Sequence, residues 1–135
     1  MSITSPYCFV CGKENPKGLK VNVFFEDNIA KTKYVFDSAY QGWTGIIHGG
    51  LISTLLDEVM AYAVAYRLGP AVTTHLEVTF RNPLRPKEEF IASGWVVKNT
   101  SRKAEAEAEI KRIKDNVTIA TARATLLLIN KRLRI

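Results

Sequence analysis

Residues 103–110 run Lys103-Ala104-Glu105-Ala106-Glu107-Ala108-Glu109-Ile110, and two opposed rules apply to them. Alanine and glutamate are both strong helix formers, so propensity alone predicts a helix. The period predicts a strand instead, because side chains alternate across an extended chain and this spacing puts the alanines on one face and the carboxylates on the other. Wound as a helix, the same segment would mix the two classes on every side. The segment therefore reads as a strand whose inner face of methyl groups lets a helix lie close to it.

Working outward, residues 117–130 alternate in the same way after the turn-forming pair Asp115-Asn116, which predicts a hairpin with residues 103–114. Strand-like runs at 72–81 and 90–99 precede it, separated by Pro83, Pro86 and the polar stretch 99–102. Near the front, residues 19–25 and 28–36 are joined at Glu26-Asp27-Asn28 and predict a further hairpin. Between the two groups, residues 51–68 form the one helical run, opening after His48-Gly49-Gly50 and closing at Gly69-Pro70. Its apolar residues Leu51, Ile52, Leu55, Leu56, Val59, Met60, Ala61 and Ala63 cover most of the circumference, which predicts a helix surrounded by the rest of the chain. The order β-β-α-β-β-β-β is that of an α+β fold, an antiparallel sheet wrapped around a central helix, with residues 1–135 as one domain.

The composition, 47% hydrophobic and 24% charged in 135 residues, is that of a globular chain. No run of about 18 apolar residues is present to span a membrane, and residues 1–6 lack the pattern of a signal peptide, so the expected location is cytoplasmic. The net charge of +6 suits a phosphate-bearing partner, but the basic residues, spread between Lys13 and Arg134, form no nucleic-acid-binding motif. Ordinary solvated charge is the alternative.

The run from His48 to Glu58 carries the chemistry. A helix start offers backbone N–H groups without intrahelical partners, and with the helix dipole behind them they suit a carbonyl oxygen that becomes negative during acyl transfer. Gly49 and Gly50 allow close approach, and an acid inside an apolar helix makes Asp57 or Glu58 a candidate nucleophile or general base. Equally, the glycines could only turn the chain, with the acids at a rim beside Arg67 or lysines.

The HGG at 48–50 followed by Asp57, the helix running into Leu68-Gly69-Pro70, the strand THLEVTFRNPL at 74–84 and the front CFVCGKENPKGLKV at 8–21 together resemble the hotdog-fold thioesterases, in particular the phenylacetic-acid-degradation type. The resemblance implies a hotdog fold, hydrolysis of acyl-CoA thioesters, no metal or redox cofactor, and a homodimer or homotetramer with its active site at the subunit interface. Carried over by position, it implies that Gly49 N–H polarises the thioester carbonyl while Asp57 attacks it or activates water. Thr73 would be the hydroxyl from the opposing subunit that orients that water. His48 would shape the helix start, Gly50 would lie against the substrate, and Glu58 would face elsewhere. Some members carry an amide six residues before the histidine, where this chain has Gly42; the adjacent Gln41 is the candidate substitute. The nucleotide of coenzyme A is expected near the turn at 99–103, with Arg102 and Lys103 as phosphate partners. The alternatives are a non-catalytic acyl-CoA-binding protein of the same fold, a nucleic-acid-binding module, and a dehydratase, which would need a helix-borne histidine that this sequence lacks.

Two further features have ordinary explanations. Cys8 and Cys11 have the spacing of half a zinc site, but no second Cys or His pair completes it, so both are expected as reduced thiols in a packed turn with no metal. His75, Trp43, Trp95 and Tyr62 could line an acyl pocket or belong to the core.

Overall fold

The computed structural model describes residues 5–129, so the N-terminal residues 1–4 and the expected strand end at Asn130 lie outside it, as does Arg134. The described chain forms β1 (Phe24–Glu26), β2 (Ile29–Val35), α1 (Gly49–Leu68), β3 (Ala71–Phe80), β4 (Glu89–Asn99), β5 (Lys103–Arg112) and β6 (Thr118–Leu128). The strands make one antiparallel sheet in the order β1-β2-β4-β5-β6-β3, with α1 packed on one face. This is the hotdog architecture.

The alternation in 103–110 is realised as a strand: Ala104, Ala106, Ala108 and Ile110 are buried against the helix, and the glutamates stand on the opposite face. The closest approach of helix to sheet occurs one strand over, at Gly94 of β4. A Cβ there would lie 2.7 Å from the Val59 carbonyl and 2.9 Å from Met60 N. Two non-bonded backbones can meet so closely only where no side chain intervenes.

Two expectations change. The helix is apolar nearly all round, yet its fully buried residues, Ile52, Leu55, Leu56, Val59, Met60, Ala63 and Val64, form one stripe at spacings of three and four. The sheet covers that stripe, while Leu51, Ala61 and Tyr62 are only partly covered. The first hairpin is also shorter than its sequence pattern. Residues Asp27 and Asn28, both at positive φ, make its two-residue turn, but Leu19 and Val21 do not join the sheet. Their N–H groups donate to Phe9 O and Val10 O, and both side chains enter the core, so this segment fixes the Cys8–Gly12 turn against the body of the fold. No helix among the described residues is long and apolar enough to cross a membrane.

Candidate functional site

The helix begins where the sequence places its turn. His48 is the N-cap, and its Nδ1 accepts a hydrogen bond from Gly50 N–H at 2.9 Å. Leu51 and Ile52 N–H both donate to the His48 carbonyl. Gly49 N–H has no acceptor among the described residues, so it is the unspent donor at the positive end of the dipole. Ser53 and Thr54 turn their hydroxyls back to the Gly49 and Gly50 carbonyls, which satisfies both hydroxyls inside an apolar helix. The loop before the helix is held by Gly42 N–H to Ile46 O, His48 N–H to Tyr40 O and Ile47 N–H to Leu84 O.

Two turns further on, the half-buried Asp57 accepts a hydrogen bond of 2.7 Å from the Thr73 hydroxyl to its Oδ1. Sequence resemblance put that hydroxyl on an opposing subunit; here the Thr73 of the same chain makes the bond. The reason is topological: β3 follows α1 after Gly69 and returns beside it, which also brings Phe80 at its far end against Gly49, 3.2 Å from a Cβ placed there. Gly49, Asp57, Thr73 and Phe80 thus line one side of the helix.

The other candidates are placed differently. Gln41 is anchored in its own loop, Nε2 donating to Ser38 O and Oε1 accepting from Gly45 N–H. Gly45 adopts φ +85°, and the Gln41 oxygen is the acceptor that this turn requires. The Gly50 N–H is taken by His48. Lys103 is level with Val72 across the sheet, each paired to Leu127, about 10 Å away over two strand spacings. Its neighbour Ala104 and the paired Leu126 and Thr73 face the helix, so Lys103 projects from the opposite face of the sheet to Asp57. It lines a cavity of about 450 Å³ with Lys98, Asn99, Thr100, Glu105 and Thr125. Arg102 lies in the adjoining turn. Within one chain, therefore, the basic turn and Asp57 do not open into a common pocket. Of the aromatic candidates, Trp43 is 86% exposed on the loop before the helix, His75 is exposed on β3, Trp95 lines a polar groove on the outer face of the sheet, and Tyr62 lies at a different corner.

That corner was not foreseen from sequence. Glu58 faces away from Asp57, as expected, but towards Cys8 and Cys11: one ligand atom from each of the three lies within 4.8 Å of the others. Glu58 Oε2 is buried with no hydrogen-bond partner. Burial, opposed by a hydrogen bond with the Cys11 thiol and reinforced by the charge of Asp57, pushes the Glu58 carboxyl above its ordinary range. Burial likewise pushes the Cys11 thiol up to about 12, with the neighbouring Glu58 carboxylate adding to the effect and the Tyr62 hydroxyl opposing it. A search of the sequence for a completing Cys or His pair passes over Glu58, because only the packing of the N-terminal turn on α1 brings it to the thiols.

With this geometry in place, comparison with known proteins is informative. The model of the thioesterase superfamily matches residues 44–119, more than half of the chain, from the loop before the helix to the start of β6. Mouse acyl-coenzyme A thioesterase 13 is 30% identical over 83 residues, 60% of this chain and 59% of that protein. A crystal structure of a thioesterase superfamily protein superposes with a TM-score of 0.84 at 22% identity, over 92% of this chain and 61% of the other. The E. coli PaaI protein from the phenylacetic acid degradation operon superposes with a TM-score of 0.78 at 20% identity, over 84% of this chain and 83% of its own. This chain thus aligns with about three-fifths of the length of the mouse relative and of the first of these structures.

Proposed function

Because this chain belongs to the thioesterase superfamily, we propose that it hydrolyses acyl-coenzyme A thioesters, with Asp57 as the reacting carboxylate. The observation that carries this reading is the 2.7 Å bond fixing Asp57 to Thr73 on the same helix whose first N–H, at Gly49, is unspent. The Gly49 N–H donates to the thioester carbonyl oxygen and stabilises the charge that develops there. Asp57 takes a proton from water as the water oxygen bonds to the carbonyl carbon. The C–S bond then breaks, and the proton passes to the departing thiolate, leaving acid and coenzyme A. Direct attack by the carboxylate would form a mixed anhydride, which water then opens; both routes need the same oxygen in the same place.

The substrate site is completed by a second copy of the chain. Among the described residues β3 is an edge strand paired only with β6, and along it Val72, Leu76 and Phe80 are exposed. A ten-residue edge with apolar side chains is a strand-pairing surface unless another chain covers it. Pairing there would also cover the exposed Phe80 beside Gly49 and enclose an acyl group. Lys103 and Arg102 serve the phosphates of coenzyme A from the outer face, a role compatible with their distance from Asp57 only if the substrate runs round a subunit boundary.

The test is thiol release from acetyl-, phenylacetyl-, benzoyl-, medium-chain and long-chain-CoA, with Asp57→Asn alongside the unaltered protein. Turnover lost in the variant while acyl-CoA still binds is the expected result. Unchanged turnover in Asp57→Asn removes the assignment, and binding without turnover in the unaltered protein replaces it with an acyl-CoA-binding function.

A further inference from the structure

We infer that Cys8, Cys11 and Glu58 form a zinc site that clamps the N-terminal turn to helix α1, one residue beyond Asp57. The donor set is two sulfurs and one carboxylate oxygen, which suits a borderline-soft, tetrahedral ion such as zinc rather than calcium or magnesium. The ligand atoms lie within 4.8 Å of one another. Around zinc, with bonds of about 2.3 Å to sulfur and about 2.0–2.2 Å to oxygen, ligand atoms stand about 3.5–3.8 Å apart, so closure needs movements of about 1 Å.

The turn is shaped for the purpose. Val10 N–H donates to Cys8 Sγ at 3.4 Å, and Gly12 N–H donates to Cys8 O at 2.9 Å, which turns both sulfurs to the same side. A Cβ on Gly12 would lie 2.4 Å from Cys8 N and 2.5 Å from Pro6 O, so only glycine closes this turn. Opposite the two sulfurs stands the one buried side-chain oxygen among the described residues without a hydrogen-bond partner, Glu58 Oε2. A buried carboxylate left without a partner is costly, and a cation at this point supplies one. Tyr62, beside Cys11, orients that sulfur, and water takes the fourth position. Packing of Leu19 and Val21 against the same turn keeps it on the helix without the ion, so the site is preformed.

The experiment uses the full chain, reduced and freed of metal, titrated with zinc chloride and followed by native mass spectrometry, thiol reactivity and thermal melting. About one zinc per chain is expected, with both thiols protected, protons released and the melting temperature raised. Cobalt(II) in place of zinc should give a thiolate-to-metal charge-transfer band in the near ultraviolet and the intense visible bands of a tetrahedral site. Glu58→Gln, near in shape and checked for fold by circular dichroism, should weaken zinc binding at least about tenfold, and Cys11→Ser should abolish it. Thiol protection in the unaltered protein needs no variant, so a misfolded Cys11→Ser protein leaves the test intact. The inference fails if the reduced chain takes up no zinc at about 10 µM, if Glu58→Gln binds as tightly as the original, or if the thiols rest as a Cys8–Cys11 disulfide that glutathione does not open.

Discussion

Asp57 and Glu58 are consecutive residues on one helix, about 100° apart around its axis, and they face two unlike corners of the molecule. Asp57 meets a hydroxyl from the strand that follows the helix. Glu58 meets two thiols from a turn some 50 residues earlier in the chain, and one of its oxygens has no hydrogen-bond partner among the described residues. The first corner is built from elements that adjoin in sequence, the helix start, the helix and β3; the second exists only because distant segments pack together. Local spacing can announce the first and not the second. In the function and the metal site proposed above, these adjacent acids do separate work, one at a reacting centre and one at a clamp.

The sharpest way to break this comparison is to exchange the roles of the two acids. Asp57→Asn should lower thioester turnover by about a thousandfold, the range expected when a general base is removed, with little change in melting temperature. Glu58→Gln should leave turnover within a few-fold. Equal losses in steady-state assays of the two variants would mean that the corners are not chemically distinct.

Next in size is a change that strikes both corners at once. Gly94 lies under the Val59 carbonyl, directly after Glu58, and a methyl group there must displace either helix or strand. Gly94→Ala should destabilise the fold by about 3 kcal/mol, the upper part of the usual range for overpacking, read as a shift in denaturant midpoint. Turnover and metal uptake should fall together in the folded fraction. Unaltered stability would mean that helix and sheet part more easily than their spacing suggests.

These sites also mark what was legible beforehand. The strand at 103–110, the helix and the order of elements follow from the spacing of residues within each segment, and all stand in the structure. Gly94 did not, because a lone glycine in a strand pattern carries no sign of what approaches it. Leu19 and Val21 alternate as a strand does, but the positive φ of Lys20 between them and their bonds to Phe9 and Val10 take them out of the sheet. Gln41 stands next to the position where an amide was wanted, and its own turn holds it by bonds at both ends of its amide. Gly94 was decided by a contact across the fold and the other two by hydrogen bonds of their own loops, neither of which a single sequence displays.

Thr73 tests how far Asp57 depends on its neighbour. Thr73→Val keeps the shape and removes the hydroxyl, and a hydrogen bond to a charged group contributes about 1.5–3 kcal/mol. Turnover should drop about tenfold or somewhat more, chiefly in kcat, since the bond orients the carboxylate rather than the acyl group. If KM alone changed, Thr73 would be a substrate contact instead.

The smallest effect concerns a carboxylate whose situation is opposite to that of Glu58. Glu88 lies 2.9 Å from the Lys114 ammonium and 3.5 Å from Arg112, and it accepts the Arg85 N–H at 2.8 Å. Burial acts to raise its carboxyl, but Lys114, the Arg85 N–H and Arg112 together hold it below its ordinary value. A carboxyl lowered on folding adds stability that is present above its unfolded pKa and is lost as the pH falls through the folded one. Glu88→Gln should therefore lower the melting temperature by about 2 °C at pH 7, a modest figure because the pairs lie near solvent. The difference should close as the pH falls below the ordinary glutamate pKa and through the lower folded one, after which both proteins carry a neutral side chain. A gap independent of pH would mean that Glu88 acts by packing and not by charge, and the contrast with Glu58, whose carboxyl has no basic partner among the described residues, would then rest on shape alone.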